Sequence, residues 1–191
     1  MRKITRISGI VAVVGIMFAA GLAPASADTV NSTISGGTLT STSAGATLSG
    51  VTLDGTNTQV ATGSSTQWSI TDARGTGANW SLSVNATVLT SAVGDTDLTE
   101  RTIPVENLTI SPGAITAGAG ADAATGISAP DITMLATDQA LVTATGPQMG
   151  TYTLTPSFSL AIPANAFRSN YAVGTSGAMN PYTTTLTYTI A

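Results

Sequence analysis

The sequence contains neither histidine nor cysteine in its 191 residues. Histidine is the commonest general base, and both residue types supply most of the ligands in zinc sites. Without cysteine the chain also has no disulfide bonds, so its fold has to rest on its core alone. These absences leave little chemistry for an enzyme, and we expect a non-catalytic protein with no cofactor and no metal.

Positive charge is scarce, and half of it lies at the N-terminus. Three of the six basic residues, Arg2, Lys3 and Arg6, precede a mostly apolar run over residues 7–22. The following Ala25-Ser26-Ala27 has the small-x-small form of a signal peptidase site. The apolar run is too short and too often interrupted by glycine for a membrane span. We therefore expect residues 1–27 to be a signal peptide and residues 28–191 to form one exported domain.

The expected mature chain keeps Arg74, Arg101 and Arg168 against ten acidic residues, a net charge of about −7, and it has no lysine. Such a surface offers no electrostatic footprint for nucleic acid and is repelled at long range by anionic lipid. We expect no nucleic-acid partner and no membrane association after cleavage. Binding to an anionic wall polymer would need short-range, specific contacts.

Alternation of apolar and polar side chains dominates the rest of the sequence, and no long window keeps a helical period. This pattern predicts an all-β fold, an antiparallel β-sandwich of roughly seven to ten short strands. Residues 46–54 are predicted to form a strand with a bulge or turn, and residues 103–110 a further strand. Residues 111–130 are rich in glycine and alanine without a period, which predicts a long surface loop. The clearest alternating triplets are Trp80, Leu82 and Val84; Phe158, Leu160 and Ile162; and Leu186, Tyr188 and Ile190.

The stretch from residue 68 to 88 holds both tryptophans of the chain. Its two alternating halves flank a polar turn with Gly75 and Gly77, so we predict two strands joined as a hairpin, with both indoles near one core. Asp72 and Arg74 flank the turn. They are predicted to form a local ion pair or backbone hydrogen bonds, and a ligand contact is the alternative.

An acidic loop follows, and three interpretations of it are open. It can be a solvated surface loop, or it can hold calcium through oxygen ligands, although it lacks the spacing and glycine of an EF-hand. It can also supply a carboxylate pair for a glycosidase-like hydrolase. The residues concerned are Asp95, Asp97, Glu100 and Glu106.

Aromatic side chains offer a different chemistry, because an exposed ring provides a flat apolar face for the C–H face of a sugar. Trp80 alternates in phase with Leu82, which favours a core position over an exposed platform. Tyr171 lies in a loop-like polar stretch and is predicted to be exposed.

Two segments resemble the motifs of the WxL domain, a surface module of Gram-positive bacteria. The first motif is Trp80-Ser81-Leu82, preceded by the Asp-x-Arg-Gly turn at residues 72–75. The second is the threonine-rich strand from Tyr182 to Ile190, which follows an Ile-Pro-Ala-Asn-Ala segment at residues 162–166. In this second motif Tyr188 and Ile190 stand where the family has tryptophan and leucine.

The resemblance implies a secreted, non-catalytic protein at the cell wall or cell surface that binds peptidoglycan non-covalently and assembles with other surface proteins. The alternative is a structural or adhesive subunit that acts through self-association or partner-protein binding, which the sparse charge and edge-like N-terminal region favour. The residues that the resemblance assigns to a wall-binding motif are Trp80, Leu82, Tyr182, Tyr188, Ile190, Asp72 and Arg74.

Overall fold

The computed structural model describes residues 30–174 and 177–191, so the predicted signal peptide lies outside the described residues. Residues 35–191 form one compact unit, and the chain up to Ile34 is a separate unit. The described part of that N-terminal unit, residues 30–34, has no regular secondary structure. Among the described residues, no helix is long and apolar enough to cross a membrane.

The described residues of the compact unit form fourteen β-strands and two single turns of 3-10 helix. The turns are η1 (Val105–Asn107) and η2 (Ala124–Gly126). The strands are β1 (Leu39–Thr42), β2 (Gln59–Ser64), β3 (Trp68–Asp72), β4 (Trp80–Ala86), β5 (Leu89–Ser91), β6 (Arg101–Ile103), β7 (Leu108–Ser111), β8 (Thr116–Ala117), β9 (Ile127–Ser128), β10 (Ile132–Thr133), β11 (Gln139–Ala144), β12 (Gly150–Leu154), β13 (Ser157–Ile162) and β14 (Leu186–Ile190).

The strands form antiparallel sheets. The first sheet has the order β1-β3-β12-β8, the second β10-β7-β13-β2, and the third β14-β4-β11-β9. β5 and β6 pair separately as a small sheet. The predicted all-β sandwich is therefore confirmed, and the larger number of strands reflects several two-residue pairings at sheet edges.

Aromatic rings from the first and third sheets meet in the core. Trp68 on β3 packs edge-on against Tyr188 on β14, with the ring centroids 4.9 Å apart. Trp80 on β4 packs against Tyr152 on β12 at 6.0 Å. The two indoles are 1% and 2% exposed, which confirms the prediction that both lie in one core.

The predicted hairpin is wrong, because β3 and β4 lie in different sheets. β3 pairs with β1 and β12, whereas β4 pairs with β11 and β14. The turn over residues 73–79 thus carries the chain from the first sheet to the third. Alternation identifies the buried face of a strand, but it does not identify the neighbouring strand.

The glycine- and alanine-rich segment is not one long loop. Its β8 pairs with β12 at the edge of the first sheet, and its β9 pairs with β11 at the edge of the third. Small residues suit these edges because the chains approach closely: a Cβ at Gly118 would lie 3.0 Å from the carbonyl oxygen of Thr151. Backbone hydrogen bonds hold the segment in place, so its sequence does not need apolar side chains at regular intervals.

Two further strand predictions are corrected. Residues 46–54 form no strand; the backbone contacts β2 where the Ser49 N–H donates to the Thr62 carbonyl oxygen at 2.8 Å. We call residues 45–53 the covering segment. The predicted strand over residues 103–110 is divided into β6 and β7 by Pro104 and η1, since proline has no N–H to donate to a ladder.

Candidate functional site

The two motif strands lie side by side in the third sheet. Tyr188 is opposite Val84, and Ile190 is opposite Leu82, in the antiparallel pairing of β14 with β4. Trp80 and Leu82 are buried, and the Trp80 indole N–H donates to the carbonyl oxygen of Gln148 at 3.0 Å. These two side chains have no surface to offer to a ligand, so in this fold they act in packing.

Tyr188 is half-buried, with its ring directed at Trp68. Its hydroxyl oxygen is buried and has no hydrogen-bond partner among the described residues. Burial raises the pKa of the phenol far above its ordinary value, because the charged form would lose its hydration. The hydroxyl therefore stays neutral at physiological pH, and the contacts of this ring are apolar.

The predicted local ion pair at the turn is confirmed. Asp72 is buried, and it accepts hydrogen bonds from Arg74 Nε at 3.0 Å and from Nη2 at 2.9 Å. The same Nη2 donates to the carbonyl oxygens of Ala78 and Asn79. The Arg74 hydrogen bond holds the pKa of Asp72 below its ordinary value. This pair closes the crossover between the first and third sheets.

A groove of about 710 Å³ lies beside the second sheet, and its volume is within the roughly 300–1,000 Å³ of small-molecule sites. The inner faces of the second and small sheets form its floor. The covering segment forms one wall, and the chain around Tyr182 forms another. The floor is almost entirely aliphatic, and all of its residues but Ile162 are buried members of the core: Ala61, Leu89, Ile103, Leu108, Phe158, Leu160 and Ile162.

Aromatic and guanidinium groups form the rim of this groove. Phe167 is 60% exposed and Tyr171 is 41% exposed, which confirms the prediction for Tyr171. The Arg101 guanidinium carbon lies 4.0 Å from the Phe167 ring centroid, and that of Arg168 lies 4.3 Å from the Tyr171 centroid. Arg168 lines the groove with both rings, whereas Arg101 is connected to it through its cation–π contact with Phe167.

Of the seven residues assigned to the wall-binding motif, Tyr182 also lines the groove. Its hydroxyl donates to the carbonyl oxygen of Phe167 at 2.9 Å, which ties the second motif to the rim. Burial raises the pKa of this phenol, while the charge of Arg101 acts in the opposite direction.

The acidic loop holds the rim in place. Asp97 accepts the Tyr171 N–H at 2.9 Å and two hydrogen bonds from Arg168 at 3.0 and 3.1 Å. The Tyr171 N–H, followed by Arg168, lowers the pKa of Asp97. Asp95 accepts the N–H of Gly174. These two carboxylates are therefore structural groups, and among the described residues no three acidic side chains are grouped closely enough to bind a metal.

Sequence reasoning missed three residues of this site. Phe167 and Arg101 were not identified, although the scarcity of positive charge could have drawn attention to an arginine near aromatic residues. Asn170 is buried, and its side chain donates to the carbonyl oxygens of Ala92 and Thr99, which anchors the rim on the acidic loop. No local pattern signals an asparagine in that role.

The assembled site offers apolar area, exposed rings and N–H donors, which are groups that bind ligands. The resemblance to the WxL domain stays a prediction from the motif residues. No protein-family model matches the chain, and no curated protein or solved structure matches it either.

Proposed function

We propose that this protein is a secreted, non-catalytic surface protein that attaches non-covalently to the peptidoglycan of a bacterial cell wall. The observation that carries the proposal is the pair of exposed rings, Phe167 and Tyr171, at the rim of the groove. Exposed rings of this kind stack against the apolar faces of sugar rings. The export signal, the resemblance to a wall-binding family and the missing catalytic residue types support the same function.

The stacked arginines add to this proposal in two ways. Each guanidinium limits the motion of the ring it contacts, and each presents N–H donors beside that ring. Arg101, which belongs to neither ion pair of the described residues, also places local positive charge on a chain whose net charge is negative. Attachment to an acidic wall polymer then depends on short-range contacts at the rim, and not on long-range attraction.

Co-sedimentation of the mature protein with insoluble peptidoglycan tests the proposal. We expect the wild type in the pellet, and Tyr171→Ala and Phe167→Ala largely in the supernatant because each loses a stacking face. Val60→Ala is the matched control, since Val60 is exposed on β2 and lies outside the groove. Wild-type protein that stays in solution overturns the function. If the rim variants are folded and sediment like the wild type, the rim is not the surface that binds peptidoglycan.

A second candidate is self-association, as in a structural or adhesive subunit. Val30 and Ile34 are 96% and 94% exposed, although both are large apolar residues. β1 and β14 are edge strands of the first and third sheets, and edge strands can pair with a strand from another chain. Size-exclusion chromatography over a concentration series tests this candidate: we expect a dimer or larger species that the double variant Val30→Ser, Ile34→Ser abolishes.

A further inference from the structure

Large apolar side chains at the described surface are concentrated in two places. The first is the N-terminal tail, residues 30–34, where Val30 and Ile34 are almost fully exposed. The second comprises four apolar side chains on two loops, and we call it the loop patch: Val93, Leu98, Val173 and Met179, which are 49%, 79%, 65% and 55% exposed. Apolar side chains that are left exposed together mark interaction sites. Sugar stacking at the rim gives none of these six side chains a role.

Hydrogen bonds join the two loops that carry the loop patch. The Asn180 side chain donates to the carbonyl oxygen of Val93 at 3.1 Å, and the Tyr171 N–H donates to Asp97 at 2.9 Å. Each side chain of the loop patch lies within two residues of one of these bonds. The four side chains therefore belong to one end of the molecule, on backbone that is held in place.

The tail cannot reach the loop patch of its own chain. The Gly37 N–H donates to the carbonyl oxygen of Ala73 at 2.7 Å, which anchors the tail at the turn before β4. The loop patch lies beyond the opposite end of β4, because the pairing of β4 with β14 continues to Thr90 opposite Thr183. The seven residues of β4 span about 20 Å. Ile34 lies three residues before Gly37, so an extended chain carries it at most about 11 Å from the anchor.

The tail also brings no charge to an interface. Residues 30–38 contain no acidic or basic side chain. Val30 and Ile34 are four residues apart, so both side chains lie on the same side of an extended chain. In the loops, Asp97 is already paired with Arg168. Contact between the tail and the loop patch therefore buries apolar area without leaving a charge of the tail or of this ion pair unpartnered.

We propose that the tail of one copy docks on the loop patch of a second copy, with Val30 and Ile34 as its anchors; this rests on self-association, the second candidate function. A second copy is the occupant because the loop patch of the same chain is out of reach and both anchors are exposed. Each copy carries one tail and one loop patch, so two reciprocal contacts close a two-fold dimer.

Sedimentation-velocity ultracentrifugation of the mature protein over a concentration series tests the contact with two double variants. Val30→Ser, Ile34→Ser removes the anchors, and Leu98→Ser, Val173→Ser removes half of the loop patch. We expect each variant to raise the dissociation constant of the dimer at least about tenfold, since apolar area is lost from both contacts. An equal mixture of the two variants should contain more dimer than either variant alone, because an intact tail then meets an intact patch.

Val60→Ser is the matched control, since Val60 is exposed on β2 and belongs to neither surface, and it should dimerise like the wild type. Circular dichroism establishes folding of each variant. A folded patch variant that dimerises like the wild type places the tail elsewhere, such as on an edge strand, and overturns this contact while self-association stands. A mixture with no more dimer than its components overturns it as well. Wild-type protein that stays monomeric overturns both, and sedimentation of that monomer with phosphatidylcholine vesicles would assign the loop patch to a lipid surface.

Discussion

Two apolar regions of this β-sandwich are filled in different ways. Between the first and third sheets, the large rings of Trp68, Trp80, Tyr152 and Tyr188 meet in two pairs and close the space. Beside the second sheet, the buried side chains are mostly aliphatic, Leu48 and Val51 of the covering segment pack against the core, and a groove remains. Large rings reach across the gap between two sheets about 10 Å apart, whereas shorter branched side chains need a third layer to complete the packing.

The comparison also separates two uses of aromatic residues. The buried rings lie on long strands, where alternation directs them inward. Phe167 and Tyr171 lie between strands and are exposed. We infer that the strand aromatics, including the motif residue Trp80, stabilise the fold, and that the rim aromatics bind. Each prediction below tests one side of this division.

The largest expected effect is on the closed core. Trp80→Ala should lower the free energy of unfolding by about 3–5 kcal/mol, because it leaves a cavity against Tyr152 and removes a buried hydrogen bond donor. Urea denaturation measures the loss. Tyr171→Ala is the matched change at the rim and should stay within about 0.5 kcal/mol of the wild type. Equal losses in the two variants would contradict the division between core and rim.

The crossover between the sheets gives the next effect. Asp72→Asn should cost about 2 kcal/mol, since the buried carboxylate accepts three hydrogen bonds from Arg74. Thermal denaturation measures the cost, with Asp131→Asn at an exposed carboxylate as the control. If both variants have the same melting temperature as the wild type, the ion pair does not stabilise the crossover.

Acid should weaken the wild type through the same carboxylate. Hydrogen bonding from Arg74 lowers the pKa of Asp72 below its ordinary 3.8. The stabilisation is therefore fully present above that value and is lost as the pH falls through the lowered pKa. Unfolding curves between about pH 5 and pH 2 should show a steeper loss for the wild type than for Asp72→Asn. If the wild type and Asp72→Asn lose stability equally as the pH falls, the acid sensitivity comes from other groups.

The smallest effects concern single hydroxyl groups, and they should differ in sign. Tyr188→Phe removes a buried hydroxyl without a partner and should stabilise the fold by up to about 1 kcal/mol. Tyr182→Phe removes a donor to the Phe167 carbonyl oxygen and should destabilise it by about 0.5 kcal/mol. Chemical denaturation of both proteins in parallel resolves the difference. A destabilised Tyr188→Phe protein would mean that this hydroxyl has a bonding partner in solution.

Much of the fold could be predicted from alternation, but the sheet partners could not. β13 and β14 lie where Phe158 and Leu186 begin their alternating triplets, because a half-buried strand imposes that period. The hairpin prediction failed because pairing depends on contacts distant in sequence. β4, for example, pairs with β14 about a hundred residues later. The edge strands β8 and β9 left no apolar signal, since their pairing is made by backbone groups.

Less of the site could be predicted. The prediction of an exposed Tyr171 was correct because polar neighbours surround it, and the pairing of Asp72 with Arg74 followed from their spacing across a turn. The groove arises where the covering segment meets strands far from it in sequence. Local patterns carry no information about such a meeting. The motif residues likewise carry no local signal that shows whether their side chains are buried.

Amide hydrogen exchange in the presence of soluble peptidoglycan fragments tests the central claim, that the rim binds and the motif strands hold the fold. The account predicts slower exchange over residues 167–171 when fragments are added, with the amides of β4 and β14 unchanged. Slower exchange confined to β4 and β14, with the rim unaffected, would contradict the account. That result would mean that the motif strands form the binding surface.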